Sequence, residues 1–152
     1  MQNNHSSIIV ATELFLGTLF LAFGCAIYLL FRSKTLNIYK WCSHIGYSEY
    51  VDSVRLQVQY WNIPPFVRYS LPDGLYCAAY LLIIDAIWQN EDTIIKYIIL
   101  SLVPFVTIGS ELLQYFGLIR GTFDFFDLIC YSIPLFLFVI INYFNKSYKN
   151  QL

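Results

Sequence analysis

Charge is what this sequence has least of. Of its 152 residues, nine are Lys or Arg and ten are Asp or Glu, 12% in all, against 58% hydrophobic, and the mean hydropathy is +0.57. A soluble domain of this size needs more polar surface than that to stay wetted, so lipid is the expected solvent. The formal net charge of −1 leaves no basic stripe for nucleic acid and no strongly basic arm for a membrane surface, so no nucleic-acid partner is expected. Cysteine is sparse and unpaired: Cys25, Cys77 and Cys130 sit in apolar stretches without the spacing of a zinc site or a disulfide framework, and read as buried small hydrophobes. Cys42 with His44 is half a metal site at most, so neither a metal nor a cofactor is implied. Also absent are a Ser-His or Cys-His pairing, an HExxH sequence, internal repeats and low-complexity tracts, which removes the common signatures of hydrolytic and metalloprotease chemistry.

What the chain has instead is long apolar runs. Ile8 to Phe31 is interrupted only by Thr12, Glu13 and Thr18 and stops at Arg32-Ser33-Lys34, which predicts a first span. Met1 to Ser7 carries no Lys or Arg and the run exceeds a signal-peptide core, so the segment is expected to be retained. Glu13, about one turn inside the edge, is expected to reach headgroup water. A second span over about 72–88 opens on Leu71-Pro72-Asp73, with Pro where an early helical turn tolerates it and Asp73 placed to cap exposed amides. It is short and carries Asp85 near its far end. A third span over about 94–118 contains Pro104 and Gly109, and a fourth over about 123–144 contains Pro134, each a potential bend. Between the first two spans, about 35–70, Tyr39, Trp41, Tyr47, Tyr50, Tyr60, Trp61 and Tyr69 alternate with Glu49, Asp52, Arg55 and Arg68. Tyr and Trp suit the headgroup zone. Val51, Val54, Val58 and Trp61 recur at helical spacing, which predicts a short interfacial helix, although Val54, Leu56, Val58 and Tyr60 also alternate like a strand; Pro64-Pro65 would end either one. The expected fold is therefore all-α: one membrane domain, 1–152, a four-transmembrane-helix bundle with an interfacial segment between the first and second spans.

With consecutive spans antiparallel, Arg32, Lys34, Lys40, Arg55, Arg68 and Arg120 fall on one side, six against the three of Lys96, Lys146 and Lys149. That count favours an external N-terminus. Setting aside Arg55, Arg68 and Arg120 as residues held in a site leaves three against three.

Polar groups recur from Gly109 to Leu128 in a chain that otherwise avoids them. Glu111 and Gln114 share one face of the third span, and Asp124 and Asp127 share one face of the fourth. The turn bearing Arg120 and Gly121 joins the two helices, so its guanidinium can bridge their carboxylates, and helix direction brings Asp73 to the same membrane surface. A charge at the membrane centre costs about 2.5–3.5 kcal/mol on insertion scales. Glu111, roughly two turns from its helix end, is therefore protonated, paired with Arg120 or facing a wet cavity. The alternative is that the same residues only staple the helices together, with Asp124 also serving as an N-terminal cap. Tyr76 and Tyr80 follow Asp73 by three and seven, and Tyr131 follows Asp127 by four, so each can present a hydroxyl to the pocket; most of the 13 tyrosines must be packing or interface residues.

At Glu111-x-x-Gln114, Arg120-Gly121-Thr122-Phe123-Asp124 and Asp127, with Leu71-Pro72-Asp73 ahead of them, the chain resembles the VanZ-like family of small bacterial membrane proteins. The likeness covers Asp73 to Asn142, about half the chain. Two positions depart from the family pattern: Cys77 stands where a His often follows the Asp of the second span, so no proton-transfer role is carried over, and Tyr131, Ser132 and Pro134 stand where the fourth helix often has Asn and Gly. The resemblance implies a bacterial cytoplasmic membrane protein of the cell envelope, in a family named for glycopeptide antibiotic resistance. It also implies both termini inside and the polar constellation outside, opposite to the charge count.

Three classes of function fit these residues. The leading one is binding of a lipid headgroup, a lipid-linked wall precursor or a lipid-tailed antimicrobial by Asp73, Tyr76, Tyr80, Glu111, Gln114, Arg120, Asp124 and Asp127, with Arg120 meeting an anionic group. The second is a membrane enzyme in which the carboxylates supply acid and base at a headgroup. The third is a structural subunit with a membrane-protein partner.

Overall fold

The computed structural model describes residues 2–89 and 91–149, with side chains over 7–89 and 91–144. Seven helices follow in order: α1 (Gln2–Phe31), α2 (Asn37–His44), α3 (Ser48–Val58), α4 (Pro65–Tyr69), α5 (Leu71–Ile87), α6 (Ile94–Tyr115) and α7 (Phe125–Lys149). Among the described residues there is no strand. Three stretches are long and apolar enough to cross a membrane: Ser7–Phe31, Ile94–Tyr115 and Phe125–Phe144.

The shorter α5 is the centre of the bundle, packing against α1, α4, α6 and α7. Pro72, Gly74, Cys77, Ala79, Leu81, Asp85 and Ala86 are all buried on it. Cys77 and Leu81 meet Leu100 of α6 in the core, with Tyr131, Leu135 and Phe138 of α7 laid against them. Lipid chains are as apolar as leucine, so close backbone approach at small residues does more for helix association than apolar contact as such. Gly17 and Gly24 of α1 serve this at the α5 seam, where a Cβ would stand 2.7 Å from Ile83 and 3.0 Å from Tyr76. Gly74 does the same on the opposite side of α5, where a Cβ would stand 2.7 Å from the Cys130 carbonyl of α7. The close α5–α7 seam is thus made from the α5 side.

Helix ends follow local chemistry. Gly117 at φ 68 closes α6, with Leu118 N–H donating to the Leu113 carbonyl at 2.9 Å, so the helix stops three residues short of the expected 118. Asp124 starts α7: its side chain accepts from Phe126 N–H at 2.8 Å, the N-cap role anticipated for it. Asp73 does not cap α5; the residue at the N-cap position is Ser70, and no side-chain cap bond forms there. Between the first span and α5 the chain is helical rather than extended, and Pro65 opens α4 instead of ending a helix. On α3 the buried residues are Val51 and Val58, seven apart, whereas Leu56 is exposed; a strand would have put Leu56 and Val58 on one face.

Candidate functional site

Two clusters of polar side chains form at opposite ends of α5. The first gathers four of the eight residues expected from the sequence, Asp73, Glu111, Asp124 and Asp127. Glu111 is only 6% exposed, and its Oε2 accepts the Asp124 N–H at 3.1 Å, tying the end of α6 to the start of α7. Asp73, Asp124 and Asp127 all lie within electrostatic range of Glu111. Asp127 leaves a buried Oδ1 with no hydrogen-bond partner. Asp73 accepts a 2.5 Å hydrogen bond from the Tyr28 hydroxyl of α1, a partner that nothing in its sequence spacing announces. Tyr131 lies within electrostatic range of Asp73, Asp127 and Glu111.

The remaining candidates stand elsewhere. Gln114 packs against Gly121, where a Cβ would fall 2.6 Å from the Gln114 amide carbon and where φ is 145; both the space and the backbone angle call for glycine. Arg120 is exposed, and among the described residues no ion pair joins it to Glu111, Asp124 or Asp127. The cation within electrostatic range of this cluster is instead Arg32, whose guanidinium lies 4.9 Å from the Tyr28 ring and 5.1 Å from the Tyr69 ring. Tyr76 packs on Tyr28 with ring centroids 5.6 Å apart and directs its hydroxyl to Cys25 Sγ at 3.6 Å. Tyr80 donates to the Ile99 carbonyl of α6. That carbonyl adjoins Leu100, whose own helical donor is missing because Pro104 has no N–H.

Beside this cluster, across the end of α1, a cavity of about 480 Å3 opens between α1, α3 and α4, lined by Leu30, Phe31, Lys34, Asp52, Arg55, Leu56, Val58, Gln59 and Arg68. Arg55 donates to the Leu29 carbonyl at 2.5 Å and the Arg32 carbonyl at 2.8 Å, closing the C-terminal end of α1. Lys34 pairs with Asp52 at 2.7 Å. The ammonium holds the Asp52 carboxyl below the usual carboxylate range, and the carboxylate holds Lys34 above the usual lysine range.

The second cluster sits at the other end of α5. Asp85 and Lys96 of α6 form an ion pair at 2.6 Å with side chains only 8% and 11% exposed, and Lys96 Nζ also donates to the Trp88 carbonyl at 3.0 Å. Glu13 of α1 lies within electrostatic range of both, and its Oε2 is buried without a partner. Glu13 thus faces the bundle rather than headgroup water. Lys96 is committed to that pair, so it counts for little in the charge count.

Among the described residues no three His, Cys, Asp or Glu side chains converge closely enough to ligate a metal ion. Three helices long and apolar enough to cross a membrane mark an all-helical integral membrane protein. No protein-family model, no curated protein and no solved structure matches the chain.

Proposed function

We propose that this chain is a VanZ-like four-span protein of a bacterial cytoplasmic membrane, and that it binds the polar end of an amphiphile in the recess built from Tyr28, Asp73, Glu111, Asp124 and Asp127. The amphiphile classes that suit it are a lipid, a lipid-linked wall precursor or a lipid-tailed antimicrobial. In this reading α5 is the fourth crossing. Its 17 residues span about 25 Å, less than a hydrocarbon core of roughly 30 Å, so its ends are recessed among longer neighbours and Asp73 and Asp85 are covered by protein rather than lipid. The segment over α2 to α4 lies at the membrane surface, where exposed Trp41, Tyr47, Tyr50, Tyr60 and Trp61 suit the headgroup zone.

The observation that carries the reading is the surplus of acceptors at one end of the bundle. Four carboxyl groups from α5, α6 and the start of α7 share one end, and Asp127 keeps a buried oxygen without a donor. Such a site favours a headgroup that brings ammonium or hydroxyl donors. For purified protein titrated with a lipid-linked wall precursor and followed by native mass spectrometry, Asp73→Asn and Asp127→Asn are each expected to weaken retention by about tenfold, the effect of one charge-assisted hydrogen bond. Parent-like retention by both variants, shown to be stably inserted, overturns the proposal.

A further inference from the structure

The basic cavity at the end of α1 lies outside every residue assigned to the carboxylate recess, and its chemistry is of the opposite sign. Three cations, Lys34, Arg55 and Arg68, face it against the single carboxylate of Asp52. Leu30 and Phe31 give it an apolar side, and Phe31 is also the last residue of the first membrane-crossing stretch. The cavity therefore straddles the level at which hydrocarbon gives way to headgroups.

Arg55 is occupied by the carbonyls that end α1, and Lys34 by Asp52. Arg68 is not: its Nε is buried and has no hydrogen-bond partner. Arg68 lines the cavity, and its unpaired guanidinium nitrogen is a donor without an acceptor; leaving a charged donor unpaired is costly. A volume of about 480 Å3 falls within the range of small-ligand sites. It has room for a phosphate with its adjoining glycerol and the first carbons of a chain.

We propose that this cavity seats the phosphate of an anionic amphiphile, with Arg68 and Lys34 on the phosphate oxygens and the chain leaving along Leu30, Phe31 and Leu56. Guanidinium and ammonium groups side by side are the usual reading of a phosphate, and the apolar side distinguishes a lipid from a free anion. Asp52 then acts as a stand-in for the ligand, holding Lys34 at 2.7 Å until a phosphate oxygen replaces it. This site does not depend on what the carboxylate recess holds, and Asp73→Asn and Asp127→Asn leave it intact.

The test titrates the full chain, purified in a neutral maltoside detergent, with phosphatidylglycerol, phosphatidylcholine and inorganic phosphate, and counts retained lipid by native mass spectrometry. The parent is expected to retain phosphatidylglycerol in preference to phosphatidylcholine. Arg68→Gln and Lys34→Gln are each expected to lower that retention about fivefold, the order of effect of one basic residue at an anionic lipid surface. Asp52→Asn, which removes the competing carboxylate, is expected to raise it. Arg55 is left unchanged because its loss would open the end of α1. Equal retention of the two lipids, or parent-like retention of phosphatidylglycerol by Arg68→Gln and Lys34→Gln, overturns the proposal. Displacement of phosphatidylglycerol by millimolar inorganic phosphate overturns the amphiphile assignment and leaves a site for the free anion. Asp52→Asn also separates charge from fold: a variant that is folded and binds less overturns the exchange between carboxylate and phosphate.

Discussion

Lys96 shows what a single buried residue does in this bundle. Its ammonium serves Asp85 and the Trp88 carbonyl together, so it both neutralises a carboxylate and closes the end of α5. Removing it by Lys96→Met leaves Asp85, only 6% exposed, with no cation beside it, and a broken buried pair costs about 3–5 kcal/mol. The double variant Lys96→Met with Asp85→Leu is expected to recover most of that loss, because neither half is then left charged. Thermal unfolding in detergent checks both; a single variant as stable as the parent would show the pair to be idle. Neither this pair nor its neighbour Glu13 was legible in the sequence. Spacing within one helix predicts which side chains share a face, the basis for pairing Glu111 with Gln114 and Asp124 with Asp127. It does not reveal how α1 is rotated against α5, which is what brings Glu13 to Asp85 and Tyr28 to Asp73. Arg120 marks the same limit, since its place in the turn was plain but its outward direction depends on the left-handed Gly117 and on Gly121 closing over Gln114.

At the scale of elements, the sequence told helices from loops wherever apolar runs were long and was ambiguous where they were short. The stretch around Val54 to Tyr60 carried both a period of two and a helical period, and burial of Val51 with Val58 resolves it as helix, because two turns separate those positions. Seams between elements depend on glycines that have no periodic signature. Two of them give opposite expectations for the same substitution. Gly74→Ala puts a Cβ 2.7 Å from the Cys130 carbonyl and 2.9 Å from Cys130 Cβ; backbone cannot yield cheaply there, so α5 and α7 must part, at about 1–3 kcal/mol. Gly109→Ala, in α6, meets nothing within 4 Å and is expected to stabilise by about 0.4–1 kcal/mol by restricting the unfolded chain. Unfolding midpoints of the two variants beside the parent decide the matter. A Gly74→Ala variant as stable as the parent would mean that the α5–α7 seam is looser than its geometry, and a destabilised Gly109→Ala would overturn the second expectation.

For the whole molecule the question is how many times the chain crosses the bilayer, and it turns on α5. Length and hydropathy together mark the other three crossings, whereas α5, one turn shorter than a usual span, is placed by its packing: it lies at the centre with α1, α6 and α7 around it. If α5 crosses, the loop near Trp61 and the turn near Leu118 share one side, and the turn near Glu91 is on the other. If α5 dips and returns, Glu91 joins the side of Trp61. In a background lacking Cys25, Cys42, Cys77 and Cys130, single cysteines at Trp61, Glu91 and Leu118, all exposed positions, separate these cases with a membrane-impermeant maleimide on intact cells. Labelling of Trp61→Cys and Leu118→Cys from outside, with Glu91→Cys protected until the cells are broken, is the expected pattern. It would place both the carboxylate recess and the phosphate cavity on the outer face, since Asp73, Glu111 and Asp127 share an end of the bundle with Arg68. Glu91→Cys labelling together with Trp61→Cys would instead remove α5 as a crossing, and with it the four-span reading.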